Sequence, residues 1–180
     1  MGPIAYALCA KPVIGLMMYA TAQCAFPPLF QGVPLAMAQA GATATARFTV
    51  PVDKSYPLLV NFTFPDNEAR LRDRIVGERH DSYCDGRPYA QVPSFARDGL
   101  GQPIPLRVVV RRQGDGRIVA ERTVDSLCVS AHDLRSRKSR HVADVALTRG
   151  DYIAEITNLA AQPGLAGVAV DVMLAGGMGK

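Results

Sequence analysis

Apolar and polar residues alternate with a period of two along most of the chain after residue 45, the pattern of strands buried on one face. In residues 46–53, Phe48, Val50 and Val52 share a face, and Pro51 marks an edge or an irregularity. Residues 56–64 gather Leu58, Val60, Phe62 and Phe64 on one side. The same alternation predicts strands over 104–112, 117–124, 141–147, 152–158 and 168–174. Gln113-Gly114-Asp115-Gly116 joins two of them as a hairpin, since Asp-Gly suits a tight turn. Thr148-Arg149-Gly150-Asp151 turns the next pair, and Leu147 with Gly150 and Tyr152 fits the tyrosine corner of β-sandwiches. Helical spacing occurs once, after Asp66. Asp66 suits a cap, Glu68 the first turn, and Leu71, Ile75 and Val76 one face, with Gly77 as the stop. Arg70, Arg72 and Arg74 fall on sides expected to be solvated. Residues 159–166 read as a turn or short helix, and 78–102 and 126–140 read as irregular loops. About seven strands joined mainly by turns, with one short helix, predict a mainly β fold, an antiparallel β-sandwich.

The first forty residues break this pattern. They carry a single charge, Lys11, followed by an apolar run from Pro12 to Phe26 and a proline- and alanine-rich stretch. Ala38-Gln39-Ala40 offers small residues at the positions a signal peptidase reads, with Ala20-Thr21-Ala22 as a second such place. The reading is a signal peptide over 1–40, a domain over 41–175 and a flexible tail over 176–180. Gln23 and Pro27-Pro28 interrupt the run before it reaches the twenty or so apolar residues of a membrane span. Cys24 follows Gln23 rather than a small residue, which fits lipid attachment poorly.

Composition narrows the picture further. The formal net charge is +4, and the chain has no tryptophan. So balanced a charge excludes nucleic acid as the main partner. Removal of residues 1–40 would leave two cysteines, Cys84 and Cys128, an even count that suggests a disulfide in an exported protein. The basic run Arg135-Ser136-Arg137-Lys138-Ser139-Arg140 lacks interleaved aromatic residues for stacking on bases.

Catalytic chemistry has weak support. Ser130, His132 and Asp133 hold the residue types of a hydrolase triad, but a triad is defined by geometry rather than closeness in sequence. His80, Asp81, Cys84 and Asp85 lack the paired spacing of a metal site. No phosphate-binding glycine loop links a strand to a helix. The expectation is no catalytic residue, no metal and no cofactor.

Taken in order, Tyr56-Pro-Leu-Leu-Val-Asn-Phe-Thr-Phe64, a helix ending in Ile75-Val-Gly77, Gly101-Gln-Pro-Ile-Pro-Leu-Arg-Val108, a hairpin, Leu147-Thr-Arg-Gly-Asp-Tyr152 and a last strand after Leu165-Ala-Gly167 resemble a family. It is a proteobacterial family of uncharacterised envelope proteins with an immunoglobulin-like β-sandwich. Many members are lipoproteins, and some lie beside type VI secretion effectors such as phospholipases. The resemblance covers roughly residues 46–175. It implies a periplasmic or secreted protein-binding module, for some members an immunity protein that covers an effector's active site. Membrane association stays open. The expected contact surface is formed by 78–102 and 126–140, with Arg135, Arg137, Lys138 and Arg140 steering an acidic partner. Two alternatives stand beside it: a small exported hydrolase or metal-dependent enzyme using His132 or His80, and a structural envelope subunit that offers a sheet edge.

Overall fold

The computed structural model describes residues 27–79, 87–133 and 135–176. These residues form strands β1 (Phe30–Pro34), β2 (Thr43–Val50), β3 (Lys54–Thr63), β4 (Ile104–Arg112), β5 (Ile118–Ser126), β6 (Val129–His132), β7 (Arg137–Leu147), β8 (Gly150–Asn158) and β9 (Ala169–Leu174). Helix α1 (Asn67–Arg72) follows β3, and short 3-10 turns occupy Tyr89–Gln91, Ser94–Ala96 and Pro163–Leu165. One sheet has the order β1-β9-β3-β7-β6 and the other β2-β8-β4-β5. Every pairing is antiparallel. The chain is a β-sandwich.

The two-residue period builds the core directly. Phe48 and Val50 of β2 and Tyr152, Ala154 and Ile156 of β8 belong to the same buried cluster as Tyr56, Leu58, Val60 and Phe62 of β3. Burying a side chain of Leu or Phe size contributes about 2 kcal/mol, so this cluster supplies most of the driving force. Two tyrosines brace it. Tyr152 donates from its hydroxyl to the carbonyl of Thr148 at 2.9 Å, which is the corner read from the sequence. Tyr56 makes the same local bond to the carbonyl of Val52 at 2.7 Å.

Several boundaries differ from the sequence reading, each for a physical reason. Among the described residues nine strands form rather than about seven. β1 lies inside the segment assigned to the signal peptide: it pairs with β9, and Leu35 and Met37 just after it are buried in the core. The folded domain therefore starts well before residue 41. Residues 1–26, the rest of the proposed signal segment, lie outside the described residues. The stretch 126–140 is largely strand, because β6 pairs with Lys138–Arg140 of β7. The helix is shorter than its apolar spacing predicts. It stops at Arg72, since Asp73 is extended and its carboxylate accepts the backbone N–H groups of Ile75, Val76 and Gly77. Arg70 is buried rather than solvated, and its guanidinium is bonded to Asn67.

Candidate functional site

Arg140 organises one end of the sandwich. It is 0% exposed, on β7, with its guanidinium among backbone carbonyls from three segments. It donates to Val76 at 3.0 and 2.8 Å, to Gln102 at 3.0 Å, to Ser126 at 2.6 Å and also to Ile75. A guanidinium has five N–H groups in a fixed fork, so one side chain can satisfy several converging carbonyls. Burial lowers the Arg140 pKa to about 9, with Asp73 opposing the shift, so the group stays charged at neutral pH. Its fork lies over the Phe62 ring, 6.0 Å from the centroid.

The surrounding sequence is shaped by this fork. A β-carbon on Gly101 would overlap Nη2 of Arg140 and the carbonyls of Ile75 and Val76. Gly77 has φ +79°, which favours glycine, and a β-carbon there would run into the Gly101 backbone. The two motifs Ile75-Val-Gly77 and Gly101-Gln-Pro103 thus meet around one arginine. Lys138, two residues before it and 1% exposed, pairs with Asp73 at 2.8 Å. Its ammonium also sits over the Phe64 ring at 5.5 Å.

Arg140 and Lys138 are therefore corrections to the contact set expected from the sequence. Both are interior groups that hold the loops, and a partner has no access to them. The alternation of β7 hid this, because a basic run read as solvated is threaded by a strand whose every second residue points inward. Arg135 and Arg137 are exposed, with Arg137 3.8 Å from Asp171. Asp133 fixes the turn that carries them: its Oδ1 accepts the backbone N–H groups of Arg135, Ser136 and Arg137 at 2.8 to 2.9 Å. Those bonds, first from Arg137 and then from Arg135, hold the Asp133 carboxyl below its usual pKa.

The loop at 87–102 packs against the segment after β5. Val92 and Ala96 bury themselves with Leu127 and Cys128, with Tyr89 and Leu100 at the margin. The Gly101 amide donates to the Leu127 carbonyl at 3.3 Å. Arg97 staples the loop from outside. It donates to the carbonyl of Val92 at 2.8 Å and lies over the Tyr89 ring at 4.8 Å. The loop at 87–102 and the short segment Leu127–Cys128 thus lie side by side. Cys128 is disulfide-bonded, and Cys84, the partner expected from the sequence, lies outside the described residues. His80, Asp81 and Asp85 do so as well.

Other candidate chemistry is dispersed. Ser130 donates to the Ser139 carbonyl at 3.1 Å, and the Asp133 carboxylate is spent on its turn. His132 is exposed. A groove of about 560 Å³ runs between β5 and β7, lined by Arg122, Asp125, Cys128, His141 and Asp144 among others. His141 and Asp144 are 3.3 Å apart there. Among the described residues no three His, Cys, Asp or Glu side chains are grouped to hold a metal ion. No helix of the described residues is long and apolar enough to cross a membrane.

The fold and this end define a class: an antiparallel β-sandwich with two loops locked together on a buried arginine. Within that class the chain belongs to DUF5625, a family described as a domain of unknown function, which matches residues 32–176. The match begins inside β1, in keeping with the early start of the domain. A crystal structure from Sulfurospirillum deleyianum has a similar fold, with a TM-score of 0.61 and 18% identity over 81% of this chain and 95% of that chain. At that identity the likeness speaks for the fold alone. No curated protein matches the chain.

Proposed function

We propose that this protein is an exported module that binds another protein through its loop end. We propose further that its partner is a secreted effector enzyme, of the phospholipase kind, which it holds inactive as an immunity protein. The observation that carries the reading is the Arg140 junction. It fixes 75–77, 101–102 and 126–128 to one another, so the surface they support is rigid before any partner arrives. A rigid contact surface loses little conformational entropy on binding. In this reading Cys84 pairs with Cys128 and pins the loop once more. Arg135 and Arg137 remain as the basic contact residues and raise the on-rate toward an acidic partner at low salt. The protein then needs no catalytic group of its own, because covering an active site suffices.

The test is a pull-down from the native host with the full chain, tagged at its C-terminus. A bait starting at residue 41 would lack β1, Leu35 and Met37. The expected result is one stoichiometric enzyme whose purified activity falls on adding the protein, with weaker inhibition by the Arg135→Ala/Arg137→Ala variant. A folded bait that recovers no protein at any salt concentration would sink the reading.

A further inference from the structure

We infer that the protein self-associates through the free edge of β2, two copies pairing antiparallel about a two-fold axis centred on Ala46. This pairing is independent of the protein-binding reading above. β2 lies at the opposite edge of its sheet from β5, the strand that leads into the loop end.

Among the described residues β1 and β6 end one sheet, and β2 and β5 end the other. A sheet edge is a row of main-chain donors and acceptors that invites another strand, and proteins blunt it with short strands, bulges, charges or proline. Three of these edges are blunted. β1 has five residues, a register shift between Phe30 and Val33, and Pro34 at its end. β6 has four residues and a register shift of its own. β5 carries Glu121, Arg122 and Asp125 and pairs with β4 across a bulge. β2 has none of these devices. Its eight residues, Thr-Ala-Thr-Ala-Arg-Phe-Thr-Val, run in unbroken register along β8 with a single charge, Arg47. The Asn158 amide donates to the Ala42 carbonyl and the Leu159 amide to the Pro105 carbonyl, both at 2.9 Å. Bonded and non-bonded pairs alternate along an antiparallel ladder, so the even-numbered residues of β2 bond β8. Thr43, Thr45, Arg47 and Thr49 therefore turn their N–H and C=O groups to the open side. Among the described residues the main-chain bonds of 43–50 go to β8 alone. β1 packs beneath β2 rather than beside it, with the Phe30 ring 5.3 Å from that of the buried Phe48.

The edge is complementary to itself, which identifies the occupant as a second copy. Opposed residues of an antiparallel pair share a face, so a two-fold pairing of β2 must be centred on a residue. Centred on Arg47, it sets two guanidinium groups face to face, which is destabilising. Centred on Phe48, it sets Thr45 against Pro51, which has no N–H. Centred on Thr45, it sets Thr49 against Gly41, which has left the strand at φ +82° and whose N–H donates to Asn158 at 2.7 Å. Centred on Ala46, it sets Thr43 against Thr49 and Thr45 against Arg47. All four outward residues of each copy then donate and accept across the axis. Thr45 is opposite Glu155 on β8, so Arg47 of the second copy, Thr45 and Glu155 form one row on the exposed face. The guanidinium is thus aimed along the row toward a carboxylate that is 40% exposed. One strand pair makes a small interface, so the association is concentration-dependent rather than permanent.

The experiment is sedimentation equilibrium of the purified full chain over a range of concentrations, with amide exchange on the same samples. Wild type should pass from monomer to dimer as concentration rises. Thr45→Lys faces Arg47 twice across the axis and should raise the dimer dissociation constant about 10-fold or more. Thr123→Lys adds the same charge on the exposed side of β5 and should leave it unchanged. Thr45→Pro removes an N–H that points away from β8, so the monomer should keep its fold by circular dichroism while the dimer is lost. Exchange at the Thr43, Thr45, Arg47 and Thr49 amides should slow as concentration rises, whereas Ala44, Ala46 and Phe48 stay protected throughout. A chain that is monomeric at every concentration would overturn the inference and leave the protein-binding reading standing. So would a dimer that Thr45→Lys and Thr45→Pro leave intact. Protection of the four outward amides in the dilute monomer would assign the edge to a segment of the same chain, and would overturn the inference as well.

Discussion

At the scale of single residues, Arg140 is the group on which the loop end depends. Replacing it with methionine would keep volume but take the arginine donor from the carbonyls of Val76, Gln102 and Ser126, while that of Ile75 keeps the Gln102 amide at 2.8 Å. An unpaired buried acceptor costs about 1–3 kcal/mol, so the expected loss on Arg140→Met is about 4 kcal/mol in denaturant unfolding, after partial relaxation. Lysine keeps the charge but not the fork, and Arg140→Lys should recover less than half of that loss. Asp133 makes a different prediction. Its folded pKa lies below the unfolded value, because the amides of Arg137 and Arg135 bond its charged form. Its contribution is present above the ordinary aspartate range and is lost as pH falls through the lowered folded value. Amide exchange at Arg135, Ser136 and Arg137 should accelerate in acid only after ordinary aspartates have titrated, and in Asp133→Ala it should be fast at every pH. Slow exchange at those amides in the alanine variant would show that the turn is held by something else.

At the scale of elements, β1 decides where the protein begins. It is a short edge strand on β9, and its Phe30 ring lies 5.3 Å from that of Phe48. Leu35 and Met37 follow it into the core. Removing a buried Leu or Met side chain costs about 2–5 kcal/mol each. A chain starting at Gly41 should therefore melt at least about 10 °C lower than one starting at Gln23, or fail to fold. Equal melting temperatures would make β1 dispensable and restore the cut after Ala40. β1 was hidden from the sequence because Phe30-Gln-Gly-Val-Pro34 is too short and too rich in breakers to show a period, and lies against an apolar, nearly uncharged run. By contrast, β4 was legible to the residue, since Ile104, Leu106, Val108 and Val110 alternate without interruption into an Asp-Gly turn. The Tyr152 corner was legible for the same reason: its bond is local, four residues back. The Arg140 junction was not. Its four acceptors lie 14 to 65 positions away in sequence, and backbone carbonyls leave no trace in residue identity. Only its consequences showed, as the glycines at 77 and 101.

At the scale of the whole molecule, the open question is how many independent devices hold the loop end, and the cysteines supply a way to count them. Cys128 is buried and lies two residues after Ser126, whose carbonyl Arg140 holds. If its partner is Cys84, the bridge closes a loop of 44 positions, worth about 4 kcal/mol in the chain-entropy model. That stabilisation acts on the unfolded chain, whereas Arg140 acts on the folded one. The two should therefore be additive. Cys84→Ser and Cys128→Ser should each lower the unfolding free energy by the same amount, and the double variant should be no worse than either, because one bond is lost in all three. Arg140→Met should add its full cost on top. Denaturant titration of this set, with thiols counted in the unfolded chains, reads all of these terms. A Cys84→Ser variant as stable as wild type would assign the Cys128 bond to another cysteine. A Cys128→Ser variant in which Arg140→Met costs nothing further would show that the bridge and the arginine are one device rather than two, and that reduction alone would release the loop end.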